Sequence, residues 1–297
     1  MSNVYSIFFK VKNYVKTKYN HTISPFYEAY YKRMNPDANC LNTVKRKENI
    51  VISLTSYPAR FNTLDLCIKS IFNQSVKADK IVLYLDDFVL DSEIPSKIKE
   101  FCKNGLTIKK IPYNLRSHKK YFFAMHEYTD SIIITFDDDV IYRKNTVKHL
   151  LNSYFKYPKC ISAMRVHKIT YSKNGAAEPY ENWKKEYRKI TAPSFLLCAT
   201  GVGGVLYPPH ILPKDTFDTE AIKKHWYKAD DIWLKFMELK SSVPVVWKKT
   251  RHVHPVEIAL HRDTGLNLEN VNKNQNDKYI KDMENFTGIR LDDWKSV

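Results

Sequence analysis

Glycine is scarce in this 297-residue chain, with only 7 in all. Neither GxGxxG nor GxxxxGK[ST] occurs, which excludes a dinucleotide fingerprint and a P-loop. Both motifs need glycine where the backbone closely approaches phosphate. Cysteine is also sparse. Cys40, Cys67, Cys102, Cys160 and Cys198 are odd in number, widely spaced and without a CxxC pair, so the expectation is a reducing compartment and no zinc ribbon. The first residues lack the long apolar block and small-residue cleavage site of a secretory leader. Thr191 to Pro213 carries no Asp, Glu, Lys or Arg, but Pro193, Pro208, Pro209 and three glycines interrupt it, which makes it a poor membrane span. Acid is in deficit too. The 32 Asp and Glu face 48 Lys and Arg, a net charge of +16, so a negative partner is implied: nucleic acid, anionic lipid or a phosphorylated substrate. Scattered lysine on solvated faces accounts for part of that excess.

What is present reads as a globular chain. Hydrophobic residues make up 43% of it, too many for disorder, and its length suffices for one generous core or two small ones. Residues 1–46 form a basic, aromatic extension. Val4, Ile7, Phe8, Val11, Tyr14 and Val15 recur at helical spacing, with Lys10, Lys12, Lys16 and Lys18 filling much of the rest. A helix lying on an anionic membrane and a helix packed on the main domain both fit this pattern. From Asn49 the texture becomes strand–helix–strand. IVISLT, KIVLYL, LTIKKI and IIITF read as strands. Between them come a helix with Leu64, Cys67, Ile68, Ile71 and Phe72 on one face, a helix over SEIPSKIKEFCKN and a helix over KKYFFAMHEY. This order predicts an α/β fold with a mostly parallel central sheet flanked by helices. One domain over 47–264 is expected, with helical extensions at both ends, the second over 265–297.

In such sheets ligands sit beyond the carboxyl ends of the strands, where TSYPARF, LDDF, PYNLRSHKK and FDDDV fall. Asp137, Asp138 and Asp139 follow a buried run directly, repel one another and need a compensating charge. A hard divalent cation, Mn2+ or Mg2+, is the expected one. In extended chain Asp137 and Asp139 share a side while Asp138 points elsewhere. Arg116, His118, Lys119 and Lys120 open a helix, where cations oppose its dipole unless an anion is bound there. Asp230 and Asp231 precede IWLKFMELK. One can serve as N-cap, which leaves the other free to take a proton from a hydroxyl. Gly201, Gly203 and Gly204 imply close backbone approach to a ligand or a tight bulge. His252 and His254 would share a strand face; a hydrogen-bonded structural histidine is the favoured reading, and one could instead complete a metal site, with His254 the candidate.

Together VISLTSYPARF, the span LRSHKKYFFAMHEYTDSIIITFDDDVIY with its DxD, GVGGVLYP and ADDIWLKF resemble bacterial GT-A fold glycosyltransferases. The nearest group is the family-2-like enzymes of capsular polysaccharide and lipopolysaccharide synthesis. The resemblance implies a sugar-nucleotide half over 47–145 and an acceptor half over 146–264. It implies that Asp137 and Asp139 hold Mn2+ or Mg2+ on the diphosphate of a nucleotide sugar, a UDP-sugar. Tyr57, Arg60 and Asp86 would hold base and ribose, with Arg116, Lys119, Lys120 and Asp138 also on the donor side. Asp231 would be the general base, and Asp230 stands where such enzymes carry Glu. The Gln/Arg-rich motif of processive enzymes is missing, so a non-processive, inverting transfer to a saccharide or lipid-linked saccharide is expected. The implied location is the cytoplasm, peripheral to the inner face of the membrane. Trp226, Trp233, Tyr180 and Trp183 could offer stacking faces for sugars, with a place in the core the favoured reading for Trp233. A sugar-phosphate nucleotidyltransferase would share the sheet and acids but needs a glycine-rich loop after the first strand, and TSYPARF has no glycine. A basic nucleic-acid-binding protein rests on charge alone, without a motif, so no nucleic-acid partner is expected.

Overall fold

The computed structural model describes residues 19–250, 255–261 and 275–295. The first 18 residues, with their four lysines, and both His252 and His254 lie outside the described residues. In β1 (Ile50–Thr55), Ile50, Ile52 and Leu54 enter one apolar cluster while Val51 enters another. β2 (Lys80–Asp86) splits likewise, Ile81, Leu83 and Leu85 against Val82 and Tyr84. Strands buried on both faces belong in a parallel sheet covered by helices.

The remaining strands are β3 (Leu106–Ile111), β4 (Ile132–Thr135), β5 (Val140–Ile141), β6 (Ile161–Ala163), β7 (Val166–Lys168), β8 (Leu197–Ala199), β9 (Val205–Tyr207), β10 (Val245–Trp247) and β11 (Val256–Glu257). Seven form one sheet in the order β10-β6-β9-β4-β1-β2-β3. β9 runs antiparallel to both its neighbours and the other pairings are parallel. The expected mostly parallel α/β architecture is therefore the one observed.

A helix over 19–33 (α1) packs Tyr31 with Leu66, Ile141, Val256 and Ile258, beside the paired β5 and β11. One sheet face carries α2 (Phe61–Phe72), the short α3 (Ser96–Glu100) and, further along the chain, α5 (Thr146–Lys156). The other face carries α4 (Lys119–Glu127) and, beyond the brief α6 (Thr219–Ala221), α7 (Asp230–Lys240) and α8 (Gln275–Thr287). The helix expected over SEIPSKIKEFCKN shrinks to α3 and a 3-10 turn at Phe101–Asn104. Within α3 only Ile98 is buried, too little apolar face to sustain more turns. Among the described residues no helix is long and apolar enough to cross a membrane.

Gly204 opens β9 at φ +90, and a Cβ there would lie 2.5 Å from the Phe136 ring. That ring is fully buried and stacks on Tyr142 with centroids 3.8 Å apart, so it has nowhere to go. Gly204→Ala should therefore cost roughly 2–4 kcal/mol from combined backbone strain and overpacking. A urea midpoint unchanged from wild type would contradict this packing.

Candidate active site

Two side-chain cations, each drawn from a different element, compensate the acids that follow β4. Arg60, at the end of the 3-10 turn Pro58–Arg60, places Nη1 2.6 Å from Asp139 and 3.5 Å from Asp138. Lys120, in the first turn of α4, places Nζ 2.7 Å from Asp137 and 2.9 Å from Asp230. The divalent cation expected at these acids therefore has two protein cations beside it, which already offset part of their charge. The triplet also divides: Asp137 turns toward Lys120, while Asp138 joins Asp139 at Arg60 and accepts a hydrogen bond from Ser56.

The lysines at the start of α4 find their anions inside the protein as well. Lys119 meets Asp86, at the end of β2, at 2.6 Å, and both are buried. Three carboxylates surround the buried Lys120 ammonium, and they hold its pKa well above the usual value against the opposing effect of burial. At an effective dielectric of about 20, each close contact is worth roughly 6 kcal/mol gross. Desolvation removes several kcal/mol per ion, so the net gain is small. What the contacts supply is placement, fixing Asp137 and Asp230 on either side of one cation.

Asp230 and Asp231 behave differently although adjacent. The N-cap position of α7 is Ala229, and no side chain caps it, so the expectation that one Asp serves as cap fails. Lys120 draws the Asp230 carboxylate instead. Burial would raise its pKa, but Lys120 and His118 outweigh burial and bring it to about 2. Asp231 accepts a hydrogen bond from the Gly201 N–H at 3.2 Å. Burial, reinforced by neighbouring Asp230 and Asp137, pushes its carboxyl up to about 7. Asp138 also rises to about 7, through burial and the charge on Asp139. His118 is buried and its pKa is lowered by desolvation. Its Nε2 donates to the Trp226 carbonyl and its Nδ1 accepts from the Tyr121 hydroxyl.

Gly201 supplies the N–H to Asp231 from the 3-10 turn Gly201–Gly203. A Cβ there would stand 2.5 Å from Lys120 Nζ and 3.2 Å from Asp137, so the glycine lets backbone approach the protein's own charged groups. Tyr57 is exposed, and its hydroxyl accepts from Arg60 Nε at 3.3 Å. Arg116 is exposed and lies over the Tyr227 ring at 4.9 Å. Trp183, Trp226 and Trp233 are buried and present no face for a sugar. Tyr180 is half-buried, with the Lys185 ammonium 3.3 Å from its ring centre.

The family model described as glycosyl transferase family 2 matches residues 52–204, which span β1 to the Gly204 turn. The chain belongs to glycosyl transferase family 2. None of the curated proteins matches it in sequence. Among solved structures it is similar to the mannosyltransferase PcManGT from Pyrobaculum calidifontis, in complex with GDP-Man and Mn2+. The identity is 13%, the coverage is 90% of this chain and 73% of that one, and the TM-score is 0.50. A fainter likeness, at 10% identity and TM-score 0.40, links 67% of the chain to 89% of a CMP:2-keto-3-deoxy-manno-octonic acid synthetase complexed with CTP. The GT-A fold of this glycosyltransferase agrees with the first of these likenesses.

Among the described residues no three His, Cys, Asp or Glu side chains converge as a ready-made metal cage. A divalent ion that also binds substrate phosphate needs only one or two carboxylates from the protein. Asp139 Oδ1 is buried without a hydrogen-bond partner, and burial together with the nearby Asp139 charge raises the Asp137 carboxyl although Lys120 opposes this, so their hard oxygens fit Mg2+ or Mn2+. Asp86 Oδ1 is likewise buried and unpartnered. Sequence reading missed Ser56 and the Gly201 N–H, for which the glycine cluster was the one available signal.

Removing Lys120 leaves Asp137, Asp230 and Asp231 without their shared cation. Lys120→Met should cost about 3–5 kcal/mol near pH 8. The cost should shrink toward pH 5. A carboxyl whose folded pKa is raised binds its proton more readily folded than unfolded, so its penalty is relieved as pH falls through that pKa. Urea unfolding at the two pH values checks the sign, and a cost independent of pH would contradict it.

Proposed function

We propose that this family 2 glycosyltransferase moves a sugar from a nucleoside-diphosphate sugar, a UDP-sugar, to a hydroxyl of a saccharide or lipid-linked saccharide. The transfer is inverting and non-processive, and the setting is surface polysaccharide of the capsular or lipopolysaccharide type. Residues 47–145 serve the donor and 146–264 the acceptor. The observation that carries this reading is the Asp231 carboxyl, held by the Gly201 N–H next to Asp230, which Lys120 bridges to Asp137; burial and the Asp230 charge raise it to about 7. A general base works best with a pKa near the operating pH.

A divalent ion held by Asp137 and Asp139 would offset the charge that develops on the departing nucleoside diphosphate. Arg60 and Lys120, already charged, flank the same oxygens and stabilise that leaving group. Asp86 offers its unpartnered oxygen to the nucleoside, and Lys119 holds the carboxylate in place. Asp231 accepts the proton of the acceptor hydroxyl as its oxygen bonds to the anomeric carbon. The bond to the diphosphate breaks in the same step, and its electron pair leaves with the phosphate. Attack from the side opposite the leaving group inverts the anomeric centre. The basic segment 1–20 would hold the enzyme at an anionic membrane carrying the acceptor.

The fold neighbour is an enzyme in complex with GDP-Man and Mn2+, so guanosine and uridine donors are tested side by side, with Mn2+ or chelator. Calorimetry should show metal-dependent donor binding; equal affinity in chelator would remove the metal. Asp231→Asn should still bind donor and lose transfer by ~10²–10⁴-fold. In wild type, kcat/KM should fall below about pH 7, where Asp231 takes up its proton. Asp230→Asn removes a charge that raises Asp231, so it should move this limb to lower pH. A limb that shifts upward, or an Asp231→Asn variant with normal transfer, would exclude Asp231 as the base.

A further inference from the structure

The solvent face of α1 carries a row of exposed aromatic residues. Its buried side is set by Asn20, Ser24 and Tyr31. Thr22, Pro25, Phe26, Ala29, Tyr30 and Arg33 line the opposite side at intervals of three and four and are all exposed. Phe26 is 73% exposed, Tyr30 56% and Tyr19, near the helix start, 47%. Exposed aromatics in a row on one helix face cost solubility unless they meet a partner.

Charge indicates which partner. The first acidic residue of the chain is Glu28, and it faces the protein, accepting hydrogen bonds from the Ser24 hydroxyl and the Ala259 N–H. The aromatic face therefore carries no carboxylate, while Lys10, Lys12, Lys16 and Lys18 lie just upstream in sequence and Arg33 at its far end. Tyr and Phe on an amphipathic helix with basic residues, and no acid between them, match the headgroup zone of an anionic bilayer. The α1 scaffold itself is firm. The Arg143 guanidinium donates to the Tyr27 hydroxyl at 2.6 Å, and Lys69 donates to the Tyr31 carbonyl at 2.9 Å.

From this face we propose that α1 docks on an anionic phospholipid surface, with Phe26 and Tyr30 entering the interface and Tyr19 at its edge. The proposal rests on the membrane part of the reading above and deepens it: folded residues of α1, not only the basic segment before them, make the contact. A second copy of this chain on the same face is the competing occupant.

The test is co-sedimentation of the full chain with phosphatidylcholine vesicles, with and without phosphatidylglycerol. Wild type should bind only the anionic vesicles, and added salt should weaken binding. The Phe26→Glu/Tyr30→Glu pair should reduce binding about tenfold or more, with donor binding unchanged because neither residue touches the site. Phe26→Trp keeps an aromatic ring, and the indole emission it adds should shift to shorter wavelength on anionic vesicles. A variant lacking residues 1–18 separates the two ideas: binding that survives this deletion but not the Glu pair sinks the basic-segment anchor and keeps the α1 face. Binding untouched by the Glu pair, or no emission shift in the Phe26→Trp variant, overturns the proposal. So does self-association in lipid-free buffer that the Glu pair abolishes, because the face then belongs to a second copy.

Discussion

One ammonium group organises the centre of this glycosyltransferase. Lys120 reaches Asp137 just after β4 and Asp230 at the start of α7, so it joins the end of a central strand to a helix start at a single charge. The arrangement is held by packing on both sides. Gly201 leaves no Cβ in its way, and α4 is anchored behind it by Tyr121, Phe122, Phe123 and Ala124 in the core. A buried cation of this kind contributes little net stability. Its value is that neither carboxylate can drift without exposing an unpaired charge.

The same cation sets the contrast between two neighbouring acids. Asp230 lies against Lys120 and ionises readily. Asp231 accepts a backbone N–H at 3.2 Å and sits beside the charge of Asp230, so its proton is held more tightly. Burial and a like charge raise the Asp231 carboxyl, while Lys120 overcomes burial to lower its neighbour Asp230. That separation is what allows one of them to stay charged while the other exchanges a proton near neutral pH.

The sheet was readable in the sequence because Ile50 to Leu54, Ile81 to Leu85 and Ile132 to Ile134 are short and apolar but for Ser53 and Tyr84, and a parallel sheet with two covered faces buries such runs. The position of Asp137 to Asp139 at a strand end was readable for the same reason. Their ion partners were not. Arg60 and Lys120 stand far from the acids in sequence, and nothing in local pattern says that a cation after β1 will meet Asp139 when donor phosphate is an equally good partner. The cap expected of Asp230 failed for a related reason: α7 begins at Asp230 itself, one residue earlier than a cap there would require, and Lys120 claims its side chain. The antiparallel β9 also escaped sequence reading, since three residues between glycine and proline show no periodicity to interpret.

The central claim is that the fold divides Asp230 and Asp231 into a permanently charged and a titrating carboxylate. Carboxyl carbon-13 titration by NMR, with Asp231→Asn and Asp230→Asn for assignment, measures this without needing the sugar or the acceptor. The account predicts an Asp231 midpoint near 7 and an Asp230 signal that stays ionised down to about pH 2. Two ordinary midpoints near 4, or the two values exchanged, would contradict it.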